Sequence, residues 1–451
     1  NRLMREGYYV NLGIFPAVPV KNTGVRITIS RHNEKEEIKG LVEAMKYHFP
    51  LALEDTQTNS ERVFHAFKLE HKPQSKTHSS KGLTLEIQDT IHKVDKSQWN
   101  QYMGGRGVYD WEGLQFLEET FQENDQKEHN WMFRYVIIKD SSNKPILMTF
   151  VTLSLWKDDM LAQAEISEAI EQERTENPYH LTSKVLSLGC LFTEGDHLYW
   201  DTSHKQSAAA RDTLLELLEK MELELGAKMT VLRDFGADTH WNEALYGHGF
   251  LRVQMPNSCT LDLSKVNLIE KHVQQLSSRN RRHFRKEIEP FLALTQSKII
   301  SKAKSLHINE FKTLFREVQK RNLGLNTFSF PDKLFERMNE NEQWEFIVLT
   351  PTEKPTTILG VMFCYTNQRN VYVPAFVGMD YDLLERYSTY RQLLYRTIER
   401  AIALKFPKIV LGMTASFEKR KLGALVKEKY AYLQTNDNFI LELLGMMEGQ
   451  H

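Results

Sequence analysis

The segment from Arg279 to Lys286 carries five cationic side chains in eight residues. Leu276, Phe284 and Ile288 lie at multiples of four, which predicts an amphipathic helix with one apolar line over residues 276–288. Such a helix could bind the phosphates of coenzyme A, an anionic membrane surface or a tRNA. The alternative is a solvated helix that bridges two structural units.

The sequence lacks the common motifs for metals and nucleotides. Its histidines are scattered without HxxxH or HExxH spacing, so we expect no metal site. We find no Walker A, no GxSxG and no dinucleotide fingerprint. The cysteines, Cys190, Cys259 and Cys364, are far apart, which favours a reducing compartment over a disulfide framework.

Length and charge narrow the classes of function. A chain of 451 residues predicts two or three domains, and 41% hydrophobic with 26% charged residues is typical of globular proteins. The net charge of −1 means that any electrostatic site must be local. No apolar run approaches the roughly 20 residues of a membrane-spanning helix, and no signal peptide is visible. We expect a cytoplasmic protein, peripheral at the inner membrane surface if the 276–288 helix binds lipid.

Residues 83–451 look like one unit used twice. Apolar runs that open at Trp131 and at Trp344 each lead through a polar turn ending in Lys-Pro into a second apolar run. Each copy then shows a helical face, a strand and a closing strand. The pattern predicts an α/β fold of the α+β type, with two mixed sheets flanked by helices. We expect domains at 83–265 and 266–451, a linker at 51–82, and a polar surface excursion at 156–185.

The first 50 residues resemble the last segment of the α-oxoamine synthases, which are PLP enzymes. The resemblance rests on 7–11 (GYYVN), 15–19 (FPAVP) and 25–28 (VRIT), followed by a helix that Asn33 and Glu36 would cap. It implies that Arg26 pairs with the amino-acid carboxylate in an intact parent protein. The apolar faces of 1–50 predict a packing partner upstream, so PLP chemistry and the family's usual homodimer are expected only of a longer parent.

The order of motifs over 83–451 resembles tandem GNAT acyltransferases, a group that includes Fem-type transferases and the acetyltransferases found beside α-oxoamine synthases. The resemblance implies an N-acyltransferase with acyl-CoA as co-substrate, an amine as acceptor and no covalently bound cofactor. The family's glycine-rich pyrophosphate pattern is missing at 387–391 (YSTYR). Ser388, Thr389 and Arg391 are therefore our phosphate-binding candidates, and an ordinary helix cap is the alternative.

The resemblance also implies the candidates for proton transfer. Tyr246, in the run 242–250 (NEALYGHGF), matches the family's tyrosine that protonates the leaving thiolate. Its alternative role is to pack a helix on the sheet. Lys419 and Lys421 occupy the matching run of the second copy and could hold a phosphate or carboxylate, or form a solvated basic turn. His248 and Glu418 are candidates for a base that acts through water.

The fusion suggests a concrete acceptor. A synthase given a long-chain acyl-CoA makes a 3-keto amino lipid whose free amine an N-acyltransferase could cap, and a short acyl group would give a small amino ketone. A second hypothesis is a Fem-type transferase that uses charged tRNA through the basic helix. A third is a non-catalytic pair that binds acyl-CoA or scaffolds the synthase, which the missing glycines favour.

Overall fold

The computed structural model describes residues 2–8, 10–13, 24–27, 33–55, 82–237, 239–321, 325–367 and 371–435. The predicted linker at 51–82 lies largely outside these residues. The side chain of Arg26 lies outside them as well, although its backbone closes a short strand.

The helices and strands follow each other in the order expected of a repeated unit. The helices are α1 Arg2–Arg5, α2 Lys35–Asp55, α3 Lys96–Met103, α4 Trp111–Thr120, α5 Ala164–Arg174, α6 Ser207–Leu225, α7 Asn242–Gly247, α8 Ile269–Gln275, α9 Ser278–Glu287, α10 Ser305–Arg321, α11 Asp332–Glu340, α12 Leu384–Tyr387, α13 Thr389–Ala403 and α14 Ser416–Lys421. The strands are β1 Asn11–Gly13, β2 Gly24–Arg26, β3 Thr84–Gln88, β4 Met132–Lys139, β5 Pro145–Lys157, β6 Thr182–Leu188, β7 Leu198–Trp200, β8 Met229–Phe235, β9 Leu251–Asp262, β10 Thr295–Ile300, β11 Trp344–Pro351, β12 Gly360–Asn367, β13 Val371–Met379, β14 Lys408–Gly412 and β15 Leu425–Thr435.

The N-terminal segment forms a small hairpin and one long helix. Strands β1 and β2 pair antiparallel. Helix α2 begins one residue later than predicted, because the backbone N–H of Glu34, rather than of Asn33, donates to the Glu37 carboxylate at 3.0 Å. The helix then continues to Asp55, past the boundary at residue 50 that composition suggested.

A mixed sheet of thirteen strands forms the body of the protein. Its order is β10-β11-β12-β13-β14-β9-β15-β8-β6-β5-β4-β3, with β7 paired beside β5. The pairs β6–β8 and β13–β14 are parallel, and the other neighbouring strands are antiparallel. The order reads the same from either end once the two copies are matched, which confirms the duplicated mixed α/β architecture. The two predicted sheets, however, are joined into one.

The two halves exchange their last strands. Strand β9 ends the first half but pairs with β14 of the second, in the register Ile409 to Leu261. Strand β15 ends the second half but pairs with β8 of the first, in the register Leu232 to Tyr432. The exchange merges both copies into one sheet and places residues of the first half beside the second half's strands.

Helices cover both faces of the sheet. Successive strand residues point to opposite faces, and alternate residues of β4 and of β11 accordingly belong to different core clusters. One face carries α6 in the first half and α13 in the second. The other face carries α3, α4, α10 and α11 in a single shared core, where the rings of Phe116 and Trp344 lie 5.3 Å apart.

The segment 156–185 is more than the polar surface excursion predicted. Within α5, Arg174 is buried and its guanidinium pairs at 2.6 Å with the Asp159 carboxylate, which is fully enclosed. The side-chain amide of Asn326 in the second half donates to the same carboxylate at 2.8 Å. The ion pair holds the segment together internally, and the hydrogen bond from Asn326 ties it to the other half.

No helix among the described residues is long and apolar enough to cross a membrane. In the same part of the chain no group of His, Cys, Asp or Glu side chains is arranged to hold a metal ion. Cys190, Cys259 and Cys364 are buried free thiols.

Candidate active site

Strands β13 and β14 open a cleft in the second half. They pair only at Val371–Lys408 and Tyr372–Ile409. Two residues further along β13 stands Pro374, which has no N–H to donate, and the parallel ladder does not continue there. Beyond this point lies a cavity of about 240 Å³. Side chains of α13 and of α10 both line it, so the cavity passes from one face of the sheet to the other.

Helix α13 begins at one side of this cavity. Its first residue, Thr389, follows Ser388, whose φ of 51° turns the chain sharply before the helix. The first-turn N–H groups of a helix lack intrahelical partners and attract anions. The Ser388 hydroxyl donates to the Glu287 carbonyl oxygen at 3.2 Å. The Thr389 Oγ1 is buried and finds no hydrogen-bond partner among the described residues.

Arg391 and Glu418, both predicted site residues, hold each other. The Arg391 Nε and Nη2 atoms donate to the two carboxylate oxygens of Glu418, each at 2.8 Å. This bidentate pair fixes the start of α13 against α14. In this structure each of the two charges therefore has a partner of opposite sign.

Lys419 is buried and lines the cavity, whereas Lys421 lies at the side of α14. The Lys419 ammonium donates to the carbonyl oxygens of Gly412 at 3.1 Å and Met413 at 2.7 Å. Burial lowers its pKa to about 8. Lys421 is half-buried, with its Nζ 5.0 Å from the centre of the Phe417 ring.

The chain leaves β14 in an unusual conformation, which Lys419 supports. Gly412 has a φ of +82°, which suits glycine, and Thr414 and Ala415 also have positive φ. Left-handed backbone in non-glycine residues costs about 1 kcal/mol or more each and concentrates at functional sites. The ammonium of Lys419 offsets part of this cost by holding the two carbonyls before the bend.

Glu194 is a cavity residue that the sequence analysis missed. It follows β6 in the first half yet lines the cavity of the second. The Ser258 hydroxyl donates to its Oε1 at 3.0 Å, and its Oε2 is buried with no partner among the described residues. Burial raises its pKa to about 7, aided by the nearby Asp234 charge. The sequence signal that could have identified Glu194 is an acidic residue in the turn 193–196 (TEGD), shortly after a buried apolar strand.

Tyr246 and His248 lie elsewhere, in the first half. The ring of Tyr246 packs 6.1 Å from that of Tyr432, in the core beneath α6. The His248 ring pairs with the Glu219 carboxylate at 3.1 Å. Neither residue lines the cavity that holds Lys419, so the structure separates the predicted site residues into two groups.

In the first half, buried polar side chains occupy the position that corresponds to the cleft of the second half. Strands β6 and β8 stay paired through Leu188 and Leu232. Beyond them the buried Arg233 donates to the Cys190 carbonyl oxygen at 2.6 Å and to the Asp234 carboxylate at 2.9 Å. The buried His197 completes the network at 2.8 Å from Asp234.

Charge balance keeps this network in place. Burial alone would raise the pKa of Asp234, but the Arg233 charge and the His197 hydrogen bond bring it below its ordinary value. The opposite charges of Arg233 and Asp234 thus balance each other inside this buried network.

A second, apolar cavity of about 80 Å³ adjoins the cleft. It lies against Trp156, Val231 and Val253, on the sheet face that α10 also covers. Leu191, Leu325, Thr327 and Met413 line both cavities and form the wall between them.

One family model matches part of the second half. The sequence model described as an acetyltransferase (GNAT) domain matches residues 278–420, which run from α9 to α14 and include the cleft. Residues 278–420 are thus similar to a GNAT acetyltransferase domain over less than half of the chain. No curated protein matches the chain.

Among solved structures, the chain is similar to a tandem GNAT protein from the clavulanic acid biosynthesis pathway (10% identity, 78% of this chain, 98% of that chain, TM-score 0.43). It is similar to Saccharomyces cerevisiae N-myristoyltransferase with bound myristoyl-CoA (10% identity, 78% of this chain, 79% of that chain, TM-score 0.45). A third is a GCN5-related N-acetyltransferase from Sphaerobacter thermophilus (11% identity, 78% of this chain, 95% of that chain, TM-score 0.40).

Proposed function

We propose that this chain is an acyl-CoA-dependent N-acyltransferase that reacts in the cleft between β13 and β14. The observation that carries the proposal is the cavity that passes through the sheet where these two parallel strands part. An amine nitrogen attacks the thioester carbonyl there, the C–N bond forms and the C–S bond breaks. Backbone groups freed by the end of the ladder are suited to bind the thioester and the oxyanion.

The start of α13 supplies the phosphate-binding part of the site. Its first-turn N–H groups, with the Thr389 hydroxyl that finds no partner among the described residues, would bind the coenzyme A pyrophosphate. Ser388, whose hydroxyl donates to the Glu287 carbonyl oxygen, would hold the turn before the helix. Lys419 would hold the end of β14 beside the reacting thioester, and Lys421, on the same short helix, would add positive charge to this side of the site. Arg391 then acts by holding Glu418 and the helix, rather than by binding phosphate itself.

The acceptor in this proposal is an amine that carries an aliphatic chain. The apolar cavity adjoins the cleft on the face opposite α13, where an acceptor would approach. An empty apolar volume of about 80 Å³ costs about 2 kcal/mol at about 24 cal/mol per Å³. An aliphatic substrate would recover that cost. A 3-keto amino lipid or long-chain base made by a synthase with the fused N-terminal segment is the concrete candidate.

The test is calorimetric titration of the full chain with coenzyme A, acetyl-CoA and palmitoyl-CoA. Ala375→Trp fills the cleft from β13, and Leu223→Trp places the same ring on the exposed side of α6. We expect the acyl-CoA to bind to the native chain and to Leu223→Trp, with at least tenfold weaker binding to Ala375→Trp. Absence of binding to the native chain, or equal binding to both variants, would contradict the proposal.

A further inference from the structure

A carboxylate of the first half reaches the cleft of the second. Glu194 stands between β6 and β7, and only 5% of its surface is exposed. It lines the cavity that Tyr390 and Lys419 line from the second half. Ser258, which holds its Oε1, lies on β9, the exchanged strand. The strand exchange thus brings this carboxylate to the place where β13 and β14 part.

Three titratable side chains line the described cavity: Glu194, Tyr390 and Lys419. Burial raises the pKa of the Tyr390 phenol, which stays protonated near neutral pH. The Lys419 ammonium already donates its protons to two carbonyl oxygens. Glu418 lies outside the cavity and is occupied by Arg391. Glu194 remains, with one oxygen held and the other without a partner among the described residues.

We propose that Glu194 is the base that takes the proton from the attacking amine, so that the first half completes the active site of the second. This inference rests on the proposed acyl transfer. As the C–N bond forms and the C–S bond breaks, one N–H proton passes to the Glu194 Oε2. The thiolate leaves and takes a proton from water, and the hydroxide left behind removes the proton from Glu194.

The surroundings of Glu194 suit a base that works near neutral pH. Burial and the Asp234 charge raise its pKa, whereas the Ser258 hydrogen bond, Lys419 and Lys429 lower it, and the result is about 7. A base whose pKa lies near the working pH transfers protons most effectively. A carboxylate kept only for structure would be expected to have both oxygens satisfied.

The test is Glu194→Gln, which keeps the shape and the Ser258 hydrogen bond. The assay follows the coenzyme A thiol released when dodecylamine is the acceptor and either palmitoyl-CoA or acetyl-CoA is the donor. The quantity measured is kcat/KM as a function of pH. Because the native protein and the variant are given the same amine, protonation of that amine affects both rates equally and cancels in the ratio of native to variant kcat/KM. We expect that ratio to rise through pH 7 to a plateau of at least 100-fold. Palmitoyl-CoA binding to the variant should stay within threefold of native.

Glu118→Gln is the matched control. Glu118 is equally buried, but it accepts hydrogen bonds from Thr90 and Ile91, away from the cleft. The ratio of native to Glu118→Gln kcat/KM should not change with pH. A Glu194→Gln variant with native rates and a native pH profile would overturn the inference alone. A native chain that neither binds acyl-CoA nor releases thiol with the amine would instead overturn the proposed function, and the inference with it.

Discussion

Filling the apolar cavity should stabilise the protein and change its choice of substrate. Ala431 on β15 is 7% exposed and lines that cavity beside Val253, its partner on β9. Ala431→Leu adds three carbon atoms, each worth about 0.8 kcal/mol when buried, or about 2.4 kcal/mol together. Local repacking subtracts part of this gain, so we expect the free energy of unfolding to rise by about 1–2 kcal/mol.

The control for this prediction is the same substitution in a filled core. Ala210 on α6 is fully buried among side chains of the first half and lines neither cavity. Ala210→Leu should lower the free energy of unfolding by about 1–3 kcal/mol, because there the added carbons have no space. Urea denaturation of both variants measures the difference in sign.

The same variant should narrow the range of acceptors. With a fixed acyl-CoA, Ala431→Leu should lose rate with long-chain amines and keep its rate with ethylamine, because the aliphatic chain loses its cavity. A destabilised Ala431→Leu, or one with an unchanged dependence on amine length, would refute the reasoning that the cavity is open and serves the acceptor.

Three further predictions concern single positions. Arg174→Met should lower the free energy of unfolding by about 3–5 kcal/mol in denaturant titration, because it leaves the buried Asp159 carboxylate without its cationic partner. Gly412→Ala should cost about 1–2 kcal/mol, since its φ of +82° disfavours a Cβ, and should slow thiol release by moving the carbonyl that Lys419 holds. Between the ordinary pKa of 4.5 and the folded value of about 7, the folded Glu194 keeps a proton that the unfolded chain releases. Its contribution to stability therefore falls as pH rises through that window, and Glu194→Gln should flatten this part of the stability curve.

Periodicity and repetition in the sequence predicted much of the fold. The helical face predicted for the first copy corresponds to α6, which ends at Gly226 in the left-handed conformation that glycine favours. The repeated Trp-x-Phe runs correspond to β4 and β11. These features are local, so residues close in sequence were enough to predict them.

The strand exchange and the cleft depend on contacts between distant residues. The closing segments β9 and β15 have similar patterns, and nothing in either one specifies which half's sheet it joins. Glu194 and Lys419 are more than 200 residues apart and meet only because of that exchange. The motif candidates were chosen by their positions in the family's pattern, which says nothing about their contacts. The ion pair between Arg391 and Glu418 is therefore visible only in the folded structure.

Amine-dependent release of the coenzyme A thiol tests the central claim most directly. The full chain and its Ala375→Trp variant are each mixed with palmitoyl-CoA, with and without dodecylamine, and the free thiol is followed. The account predicts release by the native chain only when the amine is present, and at least tenfold slower release by the variant. Release that ignores the amine, or that Ala375→Trp leaves unchanged, would contradict acyl transfer in the cleft between β13 and β14.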